Sequence, residues 1–145
     1  MNGFLRSFVS TGVIGACCAG FGCSSTAREQ VSLRDKELKV VRLVASGVPI
    51  AIPEGVLITF HWATDGRVSG KAPVNRYFGT LEKSVDGQIH WKGAVASTRM
   101  AGPPGLMTLE ATYLLVLGSA SKTTAQAQSI VLTTQDGRSV LELAP

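Results

Sequence analysis

Cysteine is confined to the first 23 of the 145 residues, so the rest of the chain cannot form a disulfide within itself. Histidine occurs only twice, and no HxxEH or CxxC spacing brings metal ligands together. A G-x-S-x-G elbow, which would present a nucleophilic serine, is also missing. We therefore expect no metal, no other cofactor and no catalytic residue.

Charge is sparse as well, since charged residues make up 17% of the chain and the net charge is +4. The basic residues form no run and do not alternate with aromatic side chains, so we expect no nucleic-acid partner. The length suits one domain preceded by an N-terminal segment.

The N-terminus carries one positive charge, at Arg6, then an apolar and small-residue run over residues 7–22, and then the polar sequence SSTAREQ. This order is typical of a secretory signal. The run is too short and too rich in glycine and serine for a permanent membrane span. We predict that residues 1–22 are a lipoprotein-type signal peptide and that residues 23–36 are a lipid anchor and polar tether.

The junction G-C-S-S at Cys23 resembles the lipobox of bacterial lipoproteins, whose cysteine receives a diacylglyceryl group. We expect Cys23 to be lipidated and to hold the protein on a membrane. Cys17 is the alternative, because residues 14–16 fit the lipobox better, although the apolar run would then be at its lower length limit. A non-lipidated signal cut near Ala27 is a further alternative. The serine after Cys23 implies the outer membrane, facing the periplasm.

The rest of the chain shows the two-residue alternation of β-strands, most clearly over residues 37–45 and 56–62. Three Asp-Gly pairs, which favour type I′ turns, lie between strand-like segments and predict antiparallel hairpins. These pairs are Asp65-Gly66, Asp86-Gly87 and Asp136-Gly137.

One helix is predicted to begin at Pro103-Pro104, since proline's missing donor costs nothing in a first turn. Apolar residues then recur at helical spacing as far as Gly118. They are Leu106, Leu109, Tyr113, Val116 and Leu117. We predict an α+β fold with a curved, barrel-like antiparallel β-sheet of about seven strands and one α-helix packed across it.

Two blocks, VSGKAPVNRYFG at 68–79 and WKGAVASTRMAG at 91–102, resemble the META domain, the HslJ-like family of small bacterial envelope proteins. The matching residues are Ser69, Gly70, Asn75, Arg76, Tyr77, Gly79, Thr98, Arg99 and Met100, and Glu110 on the predicted helix also fits. The resemblance assigns residues 37–145 to a META/HslJ-like domain. It implies a binding protein, since no catalytic activity is settled for this family.

Both cysteine positions of the family pattern are vacant here, at Val74 and Gly102. The resemblance implies that the cysteines at these positions form a disulfide in typical members. Loss of one cysteine would leave the other as an unpaired, oxidisable thiol, so both are lost together. Such a disulfide would contribute roughly 3 kcal/mol. Pro73, which replaces a family glycine, is expected to recover part of this by stiffening the unfolded chain.

The motif residues are expected to act structurally. Asn75 suits the capping of a turn through neighbouring backbone N–H groups, or a left-handed conformation. Arg76, Arg99 and Glu110 are candidates for an ion-pair cluster, the alternative being three solvated charges. Met100 is interpreted as a packing residue.

Each histidine precedes a tryptophan, at His61-Trp62 and His90-Trp91. If the tryptophan rings face the core, strand alternation points both histidines outward. We therefore expect surface histidines and not metal ligands.

Three functions compete. The leading hypothesis is a lipid-anchored envelope protein that binds an unknown envelope protein, in support of the envelope under stress or of secretion. The alternative is a small periplasmic carrier whose curved sheet encloses an apolar ligand. The third is an unrecognised hydrolase.

Overall fold

The computed structural model describes residues 33–83 and 86–145. The predictions of a signal peptide, of a lipidated Cys23 or Cys17, and of most of the tether fall outside the described residues. Leu33 is buried in the core, so contacts of the domain begin ahead of Glu37.

The described residues form one antiparallel sheet and one helix. The strands are β1 Glu37–Ala45, β2 Val48–Ile50, β3 Thr59–Trp62, β4 Arg67–Lys71, β5 Arg76–Lys83, β6 Ile89–Trp91, β7 Ala96–Ser97, β8 Ala120–Ala125, β9 Ile130–Thr134 and β10 Val140–Ala144, and the helix is α1 Pro104–Gly118. The strand order is β6-β5-β4-β3-β1-β10-β9-β8, with β2 on β1 and β7 on β5.

The two ends of this sheet meet. Gln88 forms a bridge with Lys122 at the start of β8, and the N–H of Thr123 donates to the carbonyl of Gly87 at 2.8 Å. The sheet is therefore almost closed into a barrel, with α1 packed across it, which confirms the predicted α+β class.

The seven predicted strands correspond to β1, β3, β4, β5, β6, β9 and β10. The prediction missed β2, β7 and β8. The first two have three and two residues, too few to show a period. The third reads ASKTTA, so the side chains that it buries, such as Thr123, are small or polar.

Each Asp-Gly pair does join neighbouring antiparallel strands, as predicted. At Asp65-Gly66 and Asp136-Gly137 the expected type I′ geometry is wrong, because only the glycine has a positive φ, for example 89° at Gly66. The N–H of Gly66 donates to the carbonyl of Ala63 at 3.0 Å. This is a three-residue hairpin loop that ends in a left-handed glycine.

The aspartate of such a turn holds the next strand through its side chain. Oδ1 of Asp65 accepts from the backbone N–H of Arg67 at 3.0 Å, and Oδ2 accepts from its guanidinium at 2.6 Å. The hydrogen bond from the backbone N–H of Arg67 is the main cause that lowers the pKa of Asp65 below its ordinary value, and the guanidinium of Arg67 adds to this effect.

The two-residue turn with both φ angles positive is at Ser46 and Gly47, where they are 51° and 84°. It folds β2 back onto β1, pairing Ala45 with Val48. Ser-Gly is a weaker type I′ signal than Asp-Gly, so the sequence does not indicate this turn as clearly as the others.

The core fills the space between the sheet and α1. The largest fully buried side chains are Tyr77, Tyr113, Phe60, Leu38, Leu43, Ile58, Leu81, Ile89, Leu117, Ile130, Leu132 and Leu141. Helix α1 contributes Leu109, Tyr113, Val116 and Leu117, as its spacing predicted, together with Glu110. Over the described residues, no helix has the length and apolar character needed to cross a membrane.

Candidate functional site

Three separate segments meet at one end of the barrel. The β4–β5 loop carries Asn75, the segment after β7 carries Thr98 and Met100, and the early part of α1 carries Glu110. Asn75 and Glu110 are 1% and 4% exposed. A buried carboxylate is tolerated only when hydrogen bonds replace its water.

Glu110 receives those bonds from the β4–β5 loop. Its Oε2 accepts from the backbone N–H groups of Val74 at 2.8 Å and of Asn75 at 2.7 Å. Its Oε1 accepts from Nδ2 of Asn75 at 2.6 Å. The N–H groups of the loop thus hold the carboxylate of Glu110 as an anion-binding turn holds its ligand.

The other hydrogen bonds of the Asn75 side chain are made with the segment after β7. Nδ2 also donates to the carbonyl of Met100 at 3.1 Å. Oδ1 accepts from the hydroxyl of Thr98 at 2.8 Å and from the N–H of Met100 at 2.7 Å. Nδ2 of Asn75 therefore faces two acceptors and Oδ1 faces two donors, which determines the orientation of the side-chain amide.

We call Asn75, Thr98, Glu110 and the backbone of Met100 the polar latch. It joins two loops to the helix through six hydrogen bonds involving Asn75 or Glu110. The predicted capping of a turn through neighbouring N–H groups is not what the side chain of Asn75 does, because its backbone partners belong to Met100, 25 residues away. The φ of Asn75 is not left-handed.

The expected ion-pair cluster does not form. Within the described residues the ion pairs join Arg67 to Asp65 and Lys92 to Glu82. Arg76 and Arg99 point to solvent, while Glu110 satisfies its carboxylate with uncharged donors. The hypothesis did not consider that uncharged backbone and amide groups could satisfy this carboxylate.

The interpretation of Met100 as a packing residue is also wrong. Its side chain is 56% exposed, and the structure uses its backbone N–H and carbonyl instead. Ser69 is likewise on the outer face of β4.

Gly70 is required by a tyrosine that crosses it. Tyr77, on β5, passes over Gly70 on β4 so that its hydroxyl donates to the carbonyl of Thr59 on β3 at 2.7 Å. A Cβ on Gly70 would lie 2.6 Å from that hydroxyl oxygen. Tyr113 of α1 donates to the same oxygen at 2.7 Å, with the two rings edge to face. Burial raises the pKa of both tyrosines.

Gly79 makes room for a second aromatic residue. A Cβ there would lie 2.9 Å from Cζ3 of Trp91. The indole N–H of Trp91 donates to the carbonyl of Leu117 at 3.0 Å, in the last turn of α1. Both motif glycines therefore let an aromatic side chain tie the sheet to another element.

The vacant cysteine positions lie against each other. A Cβ built on Gly102 would be 3.4 Å from Cβ of Val74 and 2.7 Å from its Cγ2. Disulfide-bonded cysteines have a mean Cβ separation of about 3.8 Å. The valine methyls occupy the space next to Gly102, so packing replaces the covalent link that the family resemblance implies.

The histidines lie on the outside of the barrel. His61 is partly exposed on β3 and His90 is exposed on β6, and β4 and β5 separate these two strands in the sheet. Their neighbours Trp62 and Trp91 both pack into or against the core. No group of three potential metal ligands occurs among the described residues.

The outer face of β3, β4 and β5 carries a shallow groove. Cross-strand register aligns His61, Ser69 and Phe78 along its middle. Two connected parts, of about 460 and 400 Å³, share these three residues. Phe78 is 56% exposed, so the groove presents an aromatic ring to solvent.

The fold and the latch define a class of small barrel-like domain in which one helix is tied to two loops by a buried asparagine and glutamate. The META domain family matches residues 31–144. The chain therefore belongs to the META domain family, as the motif resemblance implied. The META domain family is not a known enzyme family.

Two solved structures share the fold. A protein from Burkholderia xenovorans is 24% identical, with a TM-score of 0.67 over 94% of this chain and 97% of that one. A DUF4847 family protein from Bacteroides vulgatus is 11% identical, with a TM-score of 0.59 over 79% of this chain and 95% of that one. No curated protein matches the chain in sequence.

Proposed function

We propose that this protein is a lipid-anchored component of the bacterial cell envelope that acts by binding through the outside of its META domain, without catalysis. The observation that carries the proposal is the saturation of the polar latch. Every polar side-chain atom of Asn75 and Glu110 is engaged in holding loops and helix. The buried polar residues of the motif serve the fold and leave the outer face for recognition.

The packing of the barrel favours surface binding over the carrier alternative. Tyr77, Tyr113 and Phe60 lie fully buried in its middle, where a small barrel that carries a ligand keeps a cavity. The groove at Phe78 is instead open to solvent. A carrier would have to expel part of this core, at a cost of several kcal/mol for each large side chain.

The anchor is supported by the sequence around Cys23: the apolar run before it, the G-C-S-S junction and the polar residues after it. A lipidated cysteine with more than one acyl chain gives stable attachment, which a single chain does not. Serine in the next position favours the outer membrane, with the domain in the periplasm.

Metabolic labelling with an alkynyl fatty acid tests the anchor. We expect the wild-type chain to be labelled and to sediment with outer membranes, and Cys23→Ala to lose the label and accumulate as precursor or soluble protein. Cys17→Ala is the matched control and should change neither. Label that survives Cys23→Ala and is lost in Cys17→Ala would move the anchor to Cys17. Label unaffected by both would refute the lipoprotein proposal.

Thermal denaturation with added ligands distinguishes a protein that binds partners at its surface from a carrier that encloses an apolar ligand. A ligand that binds only the folded chain raises its Tm. We expect fatty acids and phospholipids to leave Tm unchanged, and a rise of several degrees with such a ligand would favour the carrier. Photo-crosslinking in intact envelopes from a benzoylphenylalanine placed at the outward position 78, followed by mass spectrometry, should give crosslinks to a partner protein.

A further inference from the structure

The groove on the outer face of β3–β5 has positive charge at one end that no ion pair in the described structure neutralises. Lys71 and Arg76 are direct cross-strand partners, and like charges placed opposite each other destabilise a sheet. Lys39 continues the same row, since it pairs with Thr59 and Thr59 Oγ1 accepts from the N–H of Lys71. Among the described residues, no carboxylate forms an ion pair with these three cations.

Apolar surface lies next to this charge. Phe78 and Leu57 are 56% and 47% exposed and line the same part of the groove as Lys71 and Arg76. Glu37 lies on the opposite rim, on β1, and His61 lies between. A ligand that fills the groove therefore meets two cations at one end and two apolar side chains beside them.

The shape of the groove limits what can fill it. Along β4 it extends from Lys71 to Arg67, or four strand steps of about 3.3 Å each, roughly 13 Å. That length suits about four residues of an extended peptide, and is more than a single small anion needs. The groove is concave, whereas a bilayer surface is best met by side chains that protrude.

We infer that this groove binds an extended acidic segment of a partner protein, with a carboxylate bridging Lys71 and Arg76 and an apolar side chain two residues away, on the same face of the segment, packed against Phe78 or Leu57. This inference rests on the proposed binding function but not on the lipid anchor. Fatty-acid labelling of Cys23 tests the anchor separately, so the two proposals can fail independently.

Selection from a library of random octapeptides, against the full chain in neutral detergent micelles, tests the inference. The selected peptides should place aspartate or glutamate two positions from an aromatic or aliphatic residue, since those side chains share one face of an extended chain. Lys71→Glu/Arg76→Glu should weaken the best synthetic peptide about tenfold or more, and Phe78→Ser should weaken it to a similar extent. Arg138→Glu, which reverses an exposed charge in the β9–β10 turn, is the matched control and should have no effect.

A label at the site makes the result independent of those variants. 4-Fluorophenylalanine at position 78 should change its ¹⁹F shift as the selected peptide is added, and the change should diminish as salt screens the cations. No enrichment, enrichment without acidic residues, or equal affinity for the double variant would overturn the inference. A fluorine shift with phosphatidylglycerol bicelles but not with peptide would assign the groove to a membrane surface instead.

Discussion

The side-chain amide of Asn75 donates to the carboxylate of Glu110 at 2.6 Å, across 35 residues of chain. Oε2 of the same carboxylate holds the N–H groups of Val74 and Asn75. A single helical side chain thereby determines the conformation of the β4–β5 loop, and through Asn75 that of the segment at Met100. In the described residues this pair is the main polar connection between α1 and the two motif loops.

Glu110→Gln should destabilise the protein by about 1–3 kcal/mol, because an amide nitrogen would face donors that now meet an oxygen. The amide of Asn75 cannot simply rotate to compensate, since Oδ1 already accepts from Thr98 and Met100. Glu54→Gln changes an exposed glutamate in the same way and should have little effect. Chemical denaturation would measure both, and equal stabilities would contradict the structural role of the latch.

Asn75→Asp should cost more than Glu110→Gln, on the order of 3–5 kcal/mol, because it places two carboxylates in contact in a buried site. One proton shared between them would relieve the repulsion. The destabilisation relative to wild type should therefore be smaller at about pH 4 than at about pH 7. A deficit that does not depend on pH would show that the two carboxyl groups do not meet.

The fold was largely predictable because its determinants are local. The alternation in β1 and in the segment of β3, the Asp-Gly turns and the spacing of apolar residues in α1 each depend on a short stretch of chain. The short strands β2 and β7 carry too few residues for any pattern. They form because stronger neighbouring strands hold their backbone in place.

The latch was less predictable, because it depends on which distant groups meet. Asn75 and Glu110 were recognisable as motif residues, but neither their pairing nor their burial was predicted. One local signal was available for burial: Glu110 lies between Leu109 and Tyr113 on the apolar face of α1. Met100 contributes only its backbone N–H and carbonyl, which every residue except proline has. No pattern in the sequence would therefore reveal its role.

Gly102→Ala should destabilise the protein by about 1–3 kcal/mol through overpacking, because its methyl would lie 2.7 Å from Cγ2 of Val74. The combination with Val74→Ala should recover part of this loss, which gives the pair a measurable coupling. Gly105→Ala is the matched control. Its Cβ would meet nothing within 4 Å on α1, so it should stabilise the helix slightly. Additive losses at positions 74 and 102 would rule out their contact.

The chain's two tyrosines, Tyr77 and Tyr113, should not ionise at their ordinary pKa of 10.0 while the protein is folded. Burial raises the pKa of each, so folding favours the neutral phenols. The resulting stabilisation is complete below about pH 10 and is lost as pH rises further. We expect phenolate absorbance to appear together with loss of tertiary structure, and near pH 10 when the chain is denatured. A midpoint near 10 in the folded protein would contradict this burial.

Val74→Cys combined with Gly102→Cys should form a disulfide in the folded protein, because the Cβ separation of 3.4 Å is close to the range in which cysteines bond. A closed loop of this length would add about 3–4 kcal/mol in the chain-entropy model, less what is lost with the valine packing. Each single substitution should gain nothing.

Peptide mass spectrometry would detect the cross-link separately from Cys17, Cys18 and Cys23. The Tm of the double variant should fall on reduction, whereas that of wild type should not, since residues 24–145 contain no cysteine. Two free thiols at positions 74 and 102 under oxidising conditions would mean that packing at this contact holds the backbones too far apart, or turned away from each other, for the bond to close.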